Sequence, residues 1–317
     1  MRALVTGAAG FVGCHLTRAL LAEGYEVTGT LQSGHATPAG LDGVAWMEME
    51  LTSSESIRAA LAEARPDRVF HLAAQASVGE SFRDPLSTWE VNATGTLRLA
   101  ETIRGDTRLL FVSSAEVYGV VPEAEQPIGE ERRLHPTNPY AASKAAAEMA
   151  VLEAAHAHGT HAVIARSFNH TGPGQDTRFA LAAFARQLAA MGGDAAEPVL
   201  RVGNLQARRD YLDVRDVVRA YLTLIERGAP GGIYNVAAGE PRSMAELVEM
   251  LIELSGTGAR VEVDPARVRP ADVPMLSGDP SALRALGWAP AIPLRRTLAD
   301  LLAHEAARAG DVHAEAV

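Results

Sequence analysis

The stretch Arg2-Ala3-Leu4-Val5-Thr6-Gly7-Ala8-Ala9-Gly10-Phe11-Val12-Gly13 decides the fold. It reads as a short apolar strand, a turn with three glycines, and the opening of a helix. Gly7 permits a tight turn, Gly10 lets the backbone approach a pyrophosphate, and Gly13 lets helix and strand pack closely. The free N–H groups of a helix start then hold an anion. The expected dinucleotide contacts are Gly7, Gly10, Phe11, Val12 and Gly13. A plain glycine-rich loop is the bland alternative, and the strand-turn-helix context speaks against it.

Outward from that turn, apolar runs alternate with amphipathic ones. Strands are predicted at 2–6, 25–31, 44–49, 68–72, 109–113 and 162–166. Helices are predicted at 10–23, 54–64, 85–104 (one long helix) and 138–158. This alternation predicts an α/β protein, a Rossmann-type doubly wound parallel sheet covered on both faces. After Arg166 the regularity weakens. Helices fit 179–190, 214–227, 243–254 and 294–306, and short strands fit 199–202 and 233–236. The expected division is a dinucleotide-binding domain at 1–170, to which 204–239 returns. A smaller interleaved lobe takes 171–203 and 240–317. Segments 37–40 and 191–194 read as loops, and the chain from about Ala306 reads as a fraying tail.

Composition narrows the class. The chain has 317 residues, is 47% hydrophobic and only 5% aromatic, so Ala, Val and Leu must build most of its core. A net charge of −10 argues against a general nucleic-acid binder. The single cysteine, Cys14, excludes a disulfide scaffold and suits a reducing compartment; it reads as a small packing residue. No clean signal-peptide core and no run of about 18 apolar residues is present, so a cytoplasmic protein without a membrane partner is expected. His156, His158 and His161 lack the companions of a metal site, and none is expected.

Of the 29 lysines and arginines, only Lys144 is a lysine. It closes Asn138-Pro139-Tyr140-Ala141-Ala142-Ser143-Lys144. Asn138 suits an N-cap and Pro139 the first helical position. Tyr140 and Lys144 are four apart and share a helix face. An ammonium beside a phenol lowers the phenol's pKa, which is the expectation here. An exposed Tyr–Lys pair is the alternative. Leu110-Phe111-Val112-Ser113-Ser114 reads as a buried strand ending in hydroxyls. The carboxyl ends of parallel strands face the ligand crevice, which places Ser114 beside Tyr140. The predicted second strand ends in Leu31-Gln32-Ser33, with neither an acid for a ribose 2′-hydroxyl nor an arginine for a 2′-phosphate. NADP(H) is favoured over NAD(H) by a small margin.

Further motifs are HLAAQASV at 71–78, SSAEVYG at 113–119, RSFNHTGPGQ at 166–175, RRDYLDVRDV at 208–217 and RPAD at 269–272. With the glycine turn and NPYAASK, they make the chain similar, over nearly its whole length, to the extended short-chain dehydrogenase/reductases that act on nucleotide sugars. The resemblance implies Ser114, Tyr140 and Lys144 as the catalytic set, with Tyr140 and Lys144 also contacting the cofactor. It places Leu72, Ala73, Ala74 and Gln75 along the cofactor and Asn92 behind the site. It gives Asn169, Arg209 and Arg269 to the sugar nucleotide, with Gln75 and Ser114 also at the substrate. Bidentate arginines suit a diphosphate. His170 either touches substrate or shapes its loop.

FNHTGPGQ, DYLDVRDVVRAY, VRPADVP and LGWAPAIPL resemble the branch that reduces the C4 ketone of GDP-4-dehydro-6-deoxy-D-mannose. Glu116 is compatible with another branch, the 4,6-dehydratases, which carry a carboxylate just past the catalytic hydroxyl. It also reads as a solvated loop carboxylate. A 4-epimerase with tightly held NAD is the third enzyme reading. A non-catalytic dinucleotide sensor is the fourth, weakened because Tyr140 and Lys144 are both present. The resemblance further implies a homodimer through helices 85–104 and 138–158.

Overall fold

The structure, a computed structural model, describes residues 1–191, 198–267 and 273–314. Through the first half, strands β1 (Arg2–Thr6), β2 (Glu26–Leu31), β3 (Ala45–Glu48), β4 (Arg68–His71), β5 (Arg108–Ser114) and β6 (Ala162–Ser167) alternate with helices. The helices are α1 (Phe11–Ala22), α2 (Ser54–Ala64), α3 (Val78–Arg83), α4 (Pro85–Trp89), α5 (Gly95–Thr102) and α6 (Pro139–His158). Then come β7 (Asn169–Thr171), α7 (Ala180–Met191), β8 (Val199–Val202), β9 (Arg208–Asp213), α8 (Val214–Arg227) and β10 (Ile233–Val236). β11 (Pro241–Ser243), α9 (Met244–Ser255), β12 (Arg260–Val263), β13 (Met275–Leu276), α10 (Ser281–Ala285) and α11 (Leu294–Ala314) complete the order.

Seven parallel strands form the main sheet in the order β10-β6-β5-β4-β1-β2-β3. The order reverses beside β1, which opens a crevice at the strands' carboxyl ends. Alternation along each strand feeds two cores. Val5, Phe70, Leu110 and Val163 face α1 and α8, with Leu16, Leu20, Tyr221 and Leu224. Leu4, Val69, Phe111 and Ile164 face α2, α5 and α6, with Ile57, Leu99 and Val151. This two-sided burial is why the strands read as nearly continuous apolar runs.

A third core joins Leu181, Phe184 and Leu188 of α7 to Leu247 and Leu251 of α9 and Leu298 and Leu301 of α11. Small sheets border it: β11-β9-β13 with β7 on β9, and β12 on β8. In the segment 204–239, β10 joins the main sheet and α8 packs against it, while β9 joins the small sheet.

Three expectations are corrected. The helix predicted at 85–104 is α4, a π-helical turn at Glu90–Thr94, and α5, which stops at Thr102. Of the tail expected from Ala306, residues 306–314 are instead the last part of α11, and 315–317 lie outside the described residues. Met191, read as loop, closes α7, and 192–194 lie outside the described residues.

Candidate active site

The glycine turn forms the crevice wall. A Cβ at Gly13 would lie 2.2 Å from the Gly7 carbonyl oxygen, so only glycine allows α1 to start there. Gly7 has φ +68°, and a Cβ on it would press on the Ala73 backbone at 3.0 Å. The loop after β4 therefore abuts the turn. Gly10 is the N-cap of α1, no side chain caps that end, and its first turn carries no acid. Those N–H groups suit a pyrophosphate, and the turn fits a dinucleotide. At the far end of β2, the Ser33 N–H donates to Glu50 Oε1 at 3.1 Å. This carboxylate follows β3, so the pattern around β2 gave no sign of it.

A buried histidine holds the loop at 72–75. Thr6 Oγ1 accepts from Leu72 N and Ala73 N, both at 3.1 Å. Its own proton therefore goes to His71 Nδ1, 2.7 Å away. His71 Nε2 then donates to Thr96 Oγ1 at 2.9 Å, and Thr96 donates to the Asn92 carbonyl at 2.6 Å. Burial, then the nearby Lys144 charge, push the His71 pKa down to about 3. Sequence reasoning missed this role. The signal was available as a histidine at the end of an otherwise apolar strand.

Asn92 lies in the π-helical turn, a feature frequent at functional sites. Its Oδ1 accepts from Gln75 N at 2.8 Å, and its Nδ2 donates to Gln75 O at 3.0 Å and to Ser143 Oγ at 3.1 Å. Asn92 thus ties the 72–75 loop to α6. The Gln75 side chain is itself engaged, accepting from Ser77 N and donating to Thr88 Oγ1 at 2.9 Å.

Asn138 caps α6, its Oδ1 accepting from Ala141 N at 2.8 Å, with Pro139 next. That start, tied by Asn138 to Glu116 just past Ser114, brings the Tyr140 phenol near Ser114. Ser114 ends β5 and also accepts from Glu116 N at 3.2 Å. Glu116 follows in a short 3-10 turn (Ala115–Tyr118), its Oε2 accepting from Asn138 Nδ2 at 3.2 Å. Burial, opposed by the nearby Ser114 hydroxyl and assisted by the Glu116 charge, pushes the Tyr140 phenol up to about 12.

The expectation that Lys144 lowers the phenol's pKa is not met. Lys144 shares the face, but its Nζ donates to the Val112 carbonyl at 2.8 Å and sits 4.8 Å from the centre of the Phe111 ring. Burial, partly offset by the Glu148 carboxylate, pulls the ammonium down to about 8.

Across the crevice, Ser114 and Ser167 are partners in the sheet, and Asn169 begins β7 two residues later. Asn169 Oδ1 is buried with no hydrogen-bond partner. Asn169 pairs in register with Tyr211, two residues past Arg209 on β9. Arg209 lies beside Leu276 of β13, its Nη1 donating to the Arg208 carbonyl at 2.9 Å. Arg269 lies outside the described residues. His170 shapes the loop: it stacks on Phe11 at 6.1 Å, and its Nδ1 bonds the Phe168 carbonyl at 3.0 Å. His15 of α1 holds the same loop through the Pro173 carbonyl at 2.9 Å. Among the described residues no cluster of three His, Cys, Asp or Glu could hold a metal.

A family model described as GDP-mannose 4,6 dehydratase matches residues 4–301. The chain belongs to this family. It is an extended short-chain dehydrogenase/reductase, as its motifs led us to expect. The family member GDP-6-deoxy-D-mannose reductase of Pseudomonas aeruginosa is 38% identical over 309 residues, covering 95% of this chain and 96% of the relative. The solved structure of RMD from Pseudomonas aeruginosa complexed with NADPH matches with TM-score 0.85 and 36% identity, over 97% of this chain and 100% of that one. UDP-glucose 4-epimerase of Thermus thermophilus, complexed with NAD, matches with TM-score 0.85 and 35% identity, over 96% and 99%.

Proposed function

We propose that this family member reduces the C4 ketone of a nucleotide-linked 4-dehydro-6-deoxyhexose, GDP-4-dehydro-6-deoxy-D-mannose, to give GDP-D-rhamnose. The observation that carries this reading is geometric: Ser114 ends β5, and α6, whose cap Asn138 is tied to Glu116 just past Ser114, starts there with the Tyr140 phenol, which burial keeps protonated. Such a group donates a proton to a developing alkoxide, which is what ketone reduction requires. The similarity to the Pseudomonas aeruginosa reductase supports the substrate class.

The dinucleotide, NADP(H) or NAD(H), is assigned to Gly7, Gly10, Phe11, Val12, Gly13 and the 72–75 loop. The NADPH bound to the similar structure supports the small preference for NADP(H). When bound in reduced form it supplies the hydride for C4. Ser114 donates a hydrogen bond to the ketone oxygen, Tyr140 delivers the proton to that oxygen, and Lys144, one helical turn past Tyr140, is assigned to the same site. Asn169, Arg209 and Arg269 take the sugar nucleotide, the arginines its diphosphate. We assign residues 1–170, with α8 and β10, to the dinucleotide domain and the remainder to substrate.

A second copy of the chain is the proposed partner. Phe82, Leu86, Trp89, Leu97 and Met149 are exposed on α3, α4, α5 and α6, helices that pack on one another, and exposed apolar side chains on neighbouring helices suit an interface. The lone thiol fits a cytoplasmic setting, and no described helix is long and apolar enough to cross a membrane.

The 4,6-dehydratase reading keeps one specific support, the Glu116 carboxylate facing Tyr140. One experiment separates the two. The purified protein is denatured and any released dinucleotide quantified, and NADPH oxidation with GDP-4-dehydro-6-deoxy-D-mannose is then followed. A reductase exchanges its cofactor each turnover, so an empty or part-filled site with ketone-dependent oxidation is expected. Near-stoichiometric NAD with no oxidation overturns it in favour of internal hydride return, by dehydration or epimerisation.

A further inference from the structure

Below the crevice floor lies a buried ion pair that the chemistry so far leaves unused. Glu148 is 0% exposed and Arg166 3%. Arg166 Nε donates to both carboxylate oxygens of Glu148, at 3.0 and 3.2 Å, and Nη2 donates to Oε2 at 2.7 Å. The same carboxylate accepts from Ser113 Oγ at 2.5 Å. Arg166 Nη1 donates to the Tyr118 hydroxyl at 3.0 Å and to the Glu130 carbonyl at 2.9 Å. The guanidinium also lies over the Tyr118 ring, 4.9 Å from its centre. Tyr118 passes its proton to Asn235 Oδ1 at 2.7 Å.

The layout matters more than the strength. Glu148 is on α6, one turn past Lys144 and two past Tyr140. Ser113 is the residue before Ser114. Arg166, opposite Ser113 in register on β6, reaches Tyr118 at the end of the turn that carries Glu116. One carboxylate therefore grips the strand end bearing Ser114 from the helix bearing Tyr140. Its guanidinium partner holds the far end of the same turn. A buried ion pair is weak grounds for stability, because desolvation offsets most of the attraction. Its value here is geometric.

We propose that Glu148, held by Arg166, is a positioning residue that sets Ser114 against Tyr140 through Ser113. The proposal rests on the reduction assigned above. A reacting group displaced by about 1 Å costs about a hundredfold in rate.

The test uses the full chain and Ser113→Ala, which removes one hydroxyl and leaves the ion pair intact. The expected result is a kcat fall of about ten- to a hundredfold, the larger figure being the cost of a full 1 Å displacement. KM for the ketone and Kd for NADPH stay near wild type, the thermal midpoint falls by a few degrees as loss of one buried hydrogen bond to a carboxylate requires, and Ser113→Thr restores kcat. Wild-type kcat in Ser113→Ala overturns the proposal. So does a loss of NADPH binding together with kcat, which marks a merely structural role. If the wild-type protein itself does not reduce the ketone, the reduction reading fails instead. Crystal structures of wild type and Ser113→Ala then decide the grip, and an unchanged Ser114–Tyr140 contact overturns it.

Discussion

Tyr140 and His71 show one cause, burial, acting in opposite directions on two kinds of group. Desolvation penalises the charged form, so the phenol rises to about 12 and the imidazole falls to about 3. Tyr140→Phe removes the donated proton and leaves the ring in place. The expected result is loss of about three orders of magnitude in kcat, within the range of general acid catalysis, with unchanged NADPH binding by fluorescence titration. For His71 the consequence is acid sensitivity. The unfolded chain binds a proton at this residue below about pH 6.5, whereas the folded chain resists it until about pH 3. Between those values the unfolded state holds more protons, so stability falls as pH falls, by about 1.4 kcal/mol per pH unit from this group. Urea unfolding of wild type and His71→Asn across pH 4–7 checks this. The variant should show a shallower slope.

Among the elements, the π-helical turn at Glu90–Thr94 does the most for its length. It places Asn92 so that one amide joins the 72–75 loop to Ser143 on α6. Asn92→Ala breaks those bonds, and isothermal titration should show NADPH affinity falling about tenfold, the scale of one or two net hydrogen bonds. This turn was invisible in the sequence, because the apolar spacing of 85–104 fits one helix and a π insertion leaves no compositional mark. The main sheet was legible, since its strands are buried on both faces and read as apolar runs. β9 was not, because Arg208-Arg209-Asp210-Tyr211-Leu212-Asp213 is mostly polar. Besides its ladders to β7, β11 and β13, it is held by Asp210, which accepts from Ala238 N at 2.8 Å, Gly239 N at 2.9 Å and Gly278 N at 3.2 Å. Such partners are remote in sequence. Ser114, Tyr140 and Asn138 were readable because strand end and helix cap fix their places. The position of the Lys144 ammonium was not, since helical spacing states which face a residue takes and not what its tip bonds.

For the whole molecule, the exposed side chains of Leu86 and Met149 lie on helices packed side by side. Introducing charge with Leu86→Glu and Met149→Glu should convert a dimer to monomers by sedimentation analysis and leave the circular dichroism spectrum unchanged. A wild-type monomer would remove the proposed partner.

The solitary lysine has one more consequence. Lys144 is 3% exposed in the second turn of α6, and the other 28 of the 29 basic residues are arginines. An endoproteinase specific for lysine therefore finds a single cleavable bond, Lys144–Ala145, and only when α6 opens. Its cut divides Ser114 and Tyr140 from Glu148 and Asn169. The rate at which two fragments appear on a gel thus reports how often this one helix lets go, with no label added to the chain.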